Sequence, residues 1–163
     1  MPDNYERFVR WYLRFNGYFT IENFIVHNPE RISGGMVGNY TESDILAVRM
    51  PYSKEIVGQL QIADHGILTN GAEGRHDVVI AEVKSKKGNQ PNDVWKLDQE
   101  SAPEMFTPVE YVLRFIGLYQ EHDISAIART LGVSHSYKDA RCRIRYIVFA
   151  REGQRLSGRS STS

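Results

Sequence analysis

A single cysteine, Cys142, stands in the 163-residue chain. One thiol closes no internal disulfide, so nothing asks for an oxidising compartment, and a reducing cytoplasm is the expected location. Long apolar runs are missing as well. No stretch approaches the roughly 18 residues that a spanning helix needs, so no membrane partner is expected. Residues 1–6 have neither a basic nor an apolar region, and a secretory leader is not expected. Net charge is absent too: 20 basic residues balance 20 acidic ones, against any histone-like blanket of positive charge. The five histidines show no zinc-binding spacing and have no partner cysteines. Residues 33–38 are glycine-rich but lack the Gly-Lys-Ser/Thr and following helix of a Walker loop. No serine or cysteine nucleophile motif is present.

What is there suits one globular domain. The chain is long enough for a real core and too short for two ordinary domains. Its 41% hydrophobic and 25% charged residues fit a folded rather than a disordered protein. The domain is expected over residues 1–156, with 157–163 a disordered Ser/Gly/Arg tail.

Helical spacing of Phe8, Trp11, Tyr12 and Phe15 predicts an opening helix over residues 4–15 that buries this aromatic stripe as core and stops at Asn16-Gly17. A strand rich in aromatic and β-branched residues follows over 18–26. Residues 44–48 and 78–83 are continuously apolar rather than alternating, which marks strands buried on both faces. Two such strands require helices on both sides of a sheet, so the class is α/β. Residues 52–76 between them read as an irregular insertion or hairpin. A short helix is expected near 93–99, amphipathic helices over 108–119 and 123–131, the last capped by Asp123 and stopped by Gly132, and a final strand over 142–150. Cys142, among strand formers, reads as a packed, inert thiol.

The third strand ends in Glu82-Val83-Lys84. Strand side chains repeat with period two, so the carboxylate and the amine share a side, about 7 Å apart along the strand. Taken by itself the pair is also what a surface salt bridge at a strand end looks like. Asp44, before its own apolar run, also reads as a turn residue.

Taken in order, Tyr5-Glu6-Arg7 in the first helix, Asn16-Gly17-Tyr18-Phe19 at the helix-to-strand turn, Ser43-Asp44-Ile45-Leu46-Ala47, and Ala81-Glu82-Val83-Lys84-Ser85 resemble the PD-(D/E)XK nuclease superfamily. Within it the likeness is to small Holliday-junction resolvases. The resemblance covers residues 4–86, and the remainder by element order alone. It implies a restriction-endonuclease-like fold: a central mixed sheet flanked by helices, with an αβββαβ core. It also implies a Mg²⁺- or Mn²⁺-dependent endonuclease acting on DNA, working as a homodimer, in repair, recombination or restriction. Asp44, Glu82 and the Val83 carbonyl would be metal ligands, Lys84 would hold the attacking water or the phosphate, and Glu6 would be the helix acid. Glu42 and Glu22 are possible accessory acids. Two features depart from the family's pattern: Ser43 stands where a proline is common, and 38 residues separate Asp44 from Glu82, where small resolvases have a short hairpin.

Between Lys138 and Arg159 seven basic residues face two acidic ones. Arg141, Arg143 and Arg145, with Lys86 and Lys87, are the candidate DNA contacts, although a solvated face and tail would look the same. A second reading is a catalytically inactive nucleic-acid- or protein-binding module on the same fold. Residues 123–134 look like the first half of a helix-turn-helix, but the chain then runs into a strand, so an ordinary helix and turn is expected.

Overall fold

The computed structural model describes residues 4–27, 39–84 and 108–150. The expected glycine-rich loop, the short helix near 93–99, Lys86, Lys87 and the tail lie outside the described residues.

Among the described residues seven strands and four helices follow in the order α1 (Asn4–Phe15), β1 (Tyr18–His27), β2 (Asn39–Arg49), β3 (Ile56–Val57), β4 (Leu60–Gln61), α2 (Gly66–Thr69), β5 (His76–Lys84), α3 (Pro108–Ile116), α4 (Glu121–Ser134), β6 (Ser136–Lys138) and β7 (Cys142–Ala150). Five strands form one mixed sheet in the order β1-β2-β5-β7-β6, and β3 pairs with β4 in a small separate hairpin. Neighbours are antiparallel except β5 and β7, which run parallel. A parallel pair needs a long crossover, and α3 and α4 lie within it. The chain is therefore α/β, as expected. No helix among the described residues is long and apolar enough to cross a membrane.

Strand periodicity divides the core in two. Leu46, Val78, Ile80 and Ile144 pack with Val109, Val112 and Leu113 of α3 and Ile124, Ile127 and Leu131 of α4. On the opposite face Ile45, Ala47, Val79, Ala81 and Val83 pack with Val9 and Leu13 of α1 and Leu68 of α2. β5 is buried along its whole interior because both of its faces are covered, which is why its sequence is continuously apolar. On β1 the even-numbered residues change face between Tyr18 and Phe24. The switch falls at Asn23, whose left-handed φ of 50° suits an asparagine.

Several expectations are corrected here. Of the aromatic stripe of α1 only Tyr12 packs against the core: Phe8, Trp11 and Phe15 are 64%, 44% and 41% exposed, while Val9 and Leu13 are the buried residues. Helix α4 runs through the buried Gly132 and ends at His135, whose left-handed φ of 57° closes the last turn through a bond from its own amide to the Leu131 carbonyl. Gln120, rather than Asp123, stands at its N-cap. The segment then enters β6 directly, so no second helix of a helix-turn-helix follows.

At the N-terminal end of β5, Asp77 is completely buried. Its Oδ1 accepts from Arg143 Nε at 2.8 Å. Its Oδ2 accepts from Arg143 Nη2 at 2.6 Å, from Arg145 Nη2 at 2.8 Å and from the Tyr18 hydroxyl. The two guanidinium groups also donate to the Leu68 carbonyl, and Arg143 to that of Asn70, so the loop around α2 is fastened to the sheet. Nearby, Arg49 donates to the Asn16 and Ser53 carbonyls and pairs with Asp64 at 2.6 Å. The 50–75 connection is thus strapped to the α1–β1 turn, where Gly17 (φ 79°) supplies a left-handed residue.

Asp77→Ala leaves the buried Arg143 and the partly buried Arg145 without their anion. It is expected to lower unfolding stability by about 3–5 kcal/mol in urea titration, the usual cost of removing one partner of a buried ion pair. Burial pushes the Cys142 thiol up from 9.0 to about 12. A pKa raised on folding contributes stability that is full below the unfolded value and is lost as pH rises towards the folded one. The urea midpoint is therefore expected to fall with pH above about 9, less steeply in Cys142→Ala, and Cys142 should resist thiol reagents at about pH 8 until the chain is unfolded.

Candidate functional site

At its C-terminal end the sheet opens. The β2–β5 ladder runs from Arg49↔Asp77 to Ile45↔Ala81 and stops there. β2 remains paired with β1 as far as Asn39, and β5 with β7 as far as Lys84↔Ala150. Glu82, Val83 and Lys84 are therefore held from the β7 side and left without a ladder partner on the β2 side.

Side chains of β2 fill the opening. Ser43 Oγ donates to the Ala81 carbonyl at 3.3 Å and to that of Ile45 at 3.1 Å. Asp44 Oδ2 accepts from the Val83 amide at 2.5 Å. A carboxylate thus takes the place of the missing ladder acceptor, and the chain brings Asp44 to the Glu82-Val83-Lys84 strand across the 38-residue separation. In a strand the N–H and C=O of one residue point to the same neighbour. The Val83 carbonyl is accordingly directed into the same opening as its amide.

Glu82 Oε1 meets Lys84 Nζ at 2.5 Å. Glu82 Oε2 accepts from the Tyr146 hydroxyl. Tyr146 packs against the cluster under α3 and α4, so the Glu82 side chain lies on that face. Glu82 is only 5% exposed. That figure decides against an ordinary surface salt bridge, because a pair taken out of water bears a desolvation cost that an exposed pair escapes. The departure from the family's proline also has a consequence: Ser43 supplies a hydroxyl that proline could not.

Other expected members lie elsewhere. Glu6 is half-buried on α1, whose inward residues cover the opposite face of the sheet from Glu82. Glu22 is engaged by Arg10 at 2.5 Å, and Glu42 is exposed on β2. Arg143 and Arg145 face inward to Asp77, with Arg143 only 7% exposed, so the structure removes both from the phosphate-contacting set. Arg141 is exposed, with its guanidinium over the Tyr119 ring. Tyr146 and Ser43 are the members that sequence reading missed. Tyr146 alternates with arginines on β7, and only the register of β7 against β5 reveals what it touches.

Among the described residues no group of three or more His, Cys, Asp or Glu side chains could hold a metal ion. A cation here would rely on two carboxylates and a backbone carbonyl. That donor set suits Mg²⁺, which takes one or two carboxylates and keeps several waters, and does not suit zinc.

No family model, no curated protein and no solved structure matches the chain. The likeness to PD-(D/E)XK nucleases thus rests on the residues and on the order of elements.

Asp44→Ala is expected to expose the Val83 amide to solvent and speed its hydrogen exchange about tenfold or more, the equivalent of losing one bond to a charged acceptor. Asp44→Asn, which keeps a carbonyl oxygen, should exchange at an intermediate rate in the same NMR measurement.

Proposed function

We propose that the chain is a divalent-metal-dependent endonuclease that hydrolyses DNA phosphodiester bonds at the strand opening. The observation that carries this reading is the grouping of the buried Glu82 and Val83 with the partly buried Asp44 and Lys84, charged side chains concentrated where the sheet has given up its ladder.

The resemblance to the restriction-endonuclease-like fold supports the assignment of roles. Asp44, Glu82 and the Val83 carbonyl would hold Mg²⁺ or Mn²⁺. Such an ion, when bound, neutralises charge on the phosphate and yields hydroxide at neutral pH. Lys84 is a compact ammonium at the edge of the group, suited to orienting the attacking water or to stabilising the phosphoryl oxygens. Tyr146 fixes the Glu82 carboxylate from behind, as groups behind a metal ligand commonly do. One site cuts one strand, so cleavage of both strands would use a homodimer.

Purified protein incubated with plasmid, branched and single-stranded DNA is expected to cut in Mg²⁺ or Mn²⁺ and to stop on addition of EDTA. Glu82→Ala and Lys84→Ala should each abolish cutting, and Tyr146→Phe should weaken it about tenfold. DNA binding without cutting under every metal condition would replace this reading with that of a binding module on the same fold.

A further inference from the structure

Helix α1 covers the core with a narrow stripe and presents the rest outward. At 100° per residue, Phe8, Trp11 and Phe15 form one outer stripe, and Arg7, Arg10 and Arg14 form the next. Phe8, Trp11 and Phe15 are all more than 40% exposed. Arg7 and Arg14 are exposed as well. Arg10 and Arg14 lie over the Trp11 ring at 5.5 and 5.0 Å, and the Trp11 and Phe15 rings are 5.6 Å apart. Solvent-facing rings in this number are unusual, because large aromatics on a free surface normally serve a partner.

We infer that this face of α1 is a stacking platform for single-stranded DNA. Rings along a groove of positive charge are what sequence-independent single-strand binding needs: every base has a π-face, and every linkage a phosphate. Charge complementarity selects the occupant. The chain as a whole is neutral, yet this helix carries three arginines and one half-buried acid, Glu6; Arg10 is paired with Glu22, and Arg7 and Arg14 are exposed. A second copy laid symmetrically on the same face would set arginine against arginine. Paired bases in a duplex keep their faces stacked on one another and offer none to the rings.

Arg10 contacts Glu22, and Glu22 pairs with Ile45, the neighbour of Asp44. At the other end of the helix, the Asn16 carbonyl accepts from Arg49, which pairs with Asp77. Helix α1 therefore runs along the sheet towards its open end, on the face opposite the Glu82 side chain. The choice of DNA rests on the nuclease reading above; the platform does not.

The test is fluorescence anisotropy with labelled dT20 and the full chain in EDTA, where no cutting occurs. Wild type should bind. Trp11→Ala and Phe8→Ala should each raise the Kd about tenfold, and Trp11→Phe should stay near wild type. Arg7→Glu with Arg14→Glu, exposed positions that leave the core intact, should weaken binding and flatten its salt dependence. Binding in EDTA is read without any cutting, and cutting is read separately in the metal-dependent assay above, so failure of the platform and failure of the nuclease site are distinguishable. An unchanged Kd in the two alanine variants overturns the proposal, as does absence of wild-type binding. Equal affinity for a 20-base-pair duplex overturns the single-strand preference, and tighter binding of rU20 with the same losses overturns DNA. Loss of a dimer in sedimentation of Phe8→Ala at unchanged dT20 affinity would make the face a self-interface instead.

Discussion

The buried carboxylate of Asp77 sets the position of everything around it. Four donors from three residues converge on it, from β1 and from two positions of β7. The side-chain period of a strand is two, so a one-residue slip of β7 would turn Arg143 and Arg145 to the other face and leave Asp77 buried alone. Such an error is among the costliest a core can contain. Apolar side chains on β5 and β7 are nearly interchangeable and specify register weakly; the ion network does not tolerate substitution of one pairing for another. With Asp77 opposite Arg143, Tyr146 falls opposite Ile80, one step along the same face from Glu82. The hydroxyl that holds the Glu82 carboxylate is thus placed by a charge cluster at the far end of the strand.

The two ends of β5 answer opposite requirements. At the Asp77 end two guanidinium groups share one carboxylate and the loop around α2 closes over it. At the Glu82 end the β2 ladder is abandoned, and the backbone groups of Val83 face a gap occupied by the Asp44 carboxylate. A continuous ladder would have been the more stable solution for the backbone alone. An opening lined by Asp44, Glu82, Lys84 and Ser43 keeps polar groups near one another in a partly dry place, where electrostatic interactions are stronger than in water. Stability is provided at one end of the strand and forgone at the other.

Sequence reading succeeded where one physical effect acted alone. β5 and β2 are buried on both faces, and their continuous apolar runs said so. It failed where two effects share a pattern. The stripe Phe8, Trp11, Phe15 has core-like hydrophobicity and helical period, yet α1 lies over the sheet on Val9 and Leu13, and only the direction of packing tells the two stripes apart. Gly132 has the look of a helix stop, but as a small residue it also allows α4 a close buried approach, and packing outweighed its poor propensity. The approach of Asp44 to the Glu82-Val83-Lys84 strand, which the structure shows at the Val83 amide, was anticipated by the order of the motifs. The participation of Ser43 and Tyr146 was not, because a strand split and a β7 register leave no local trace.

Charge shows the same ambiguity. A net charge of zero suggests a surface without preference, and the arginines of β7 suggest a basic patch near the C-terminus. The structure redistributes both signals. Arg49, Arg143 and Arg145 turn inward, Arg49 to Asp64 and the other two to the one carboxylate of Asp77. Charges neutralised inside contribute little to the external field, so what a distant polyanion meets is set mainly by the charges that remain outside. On α1 those are Arg7 and Arg14, standing beside exposed rings. A neutral chain can therefore carry a locally cationic face without a basic composition, because the field near one helix depends on where the outer charges stand and not on their sum.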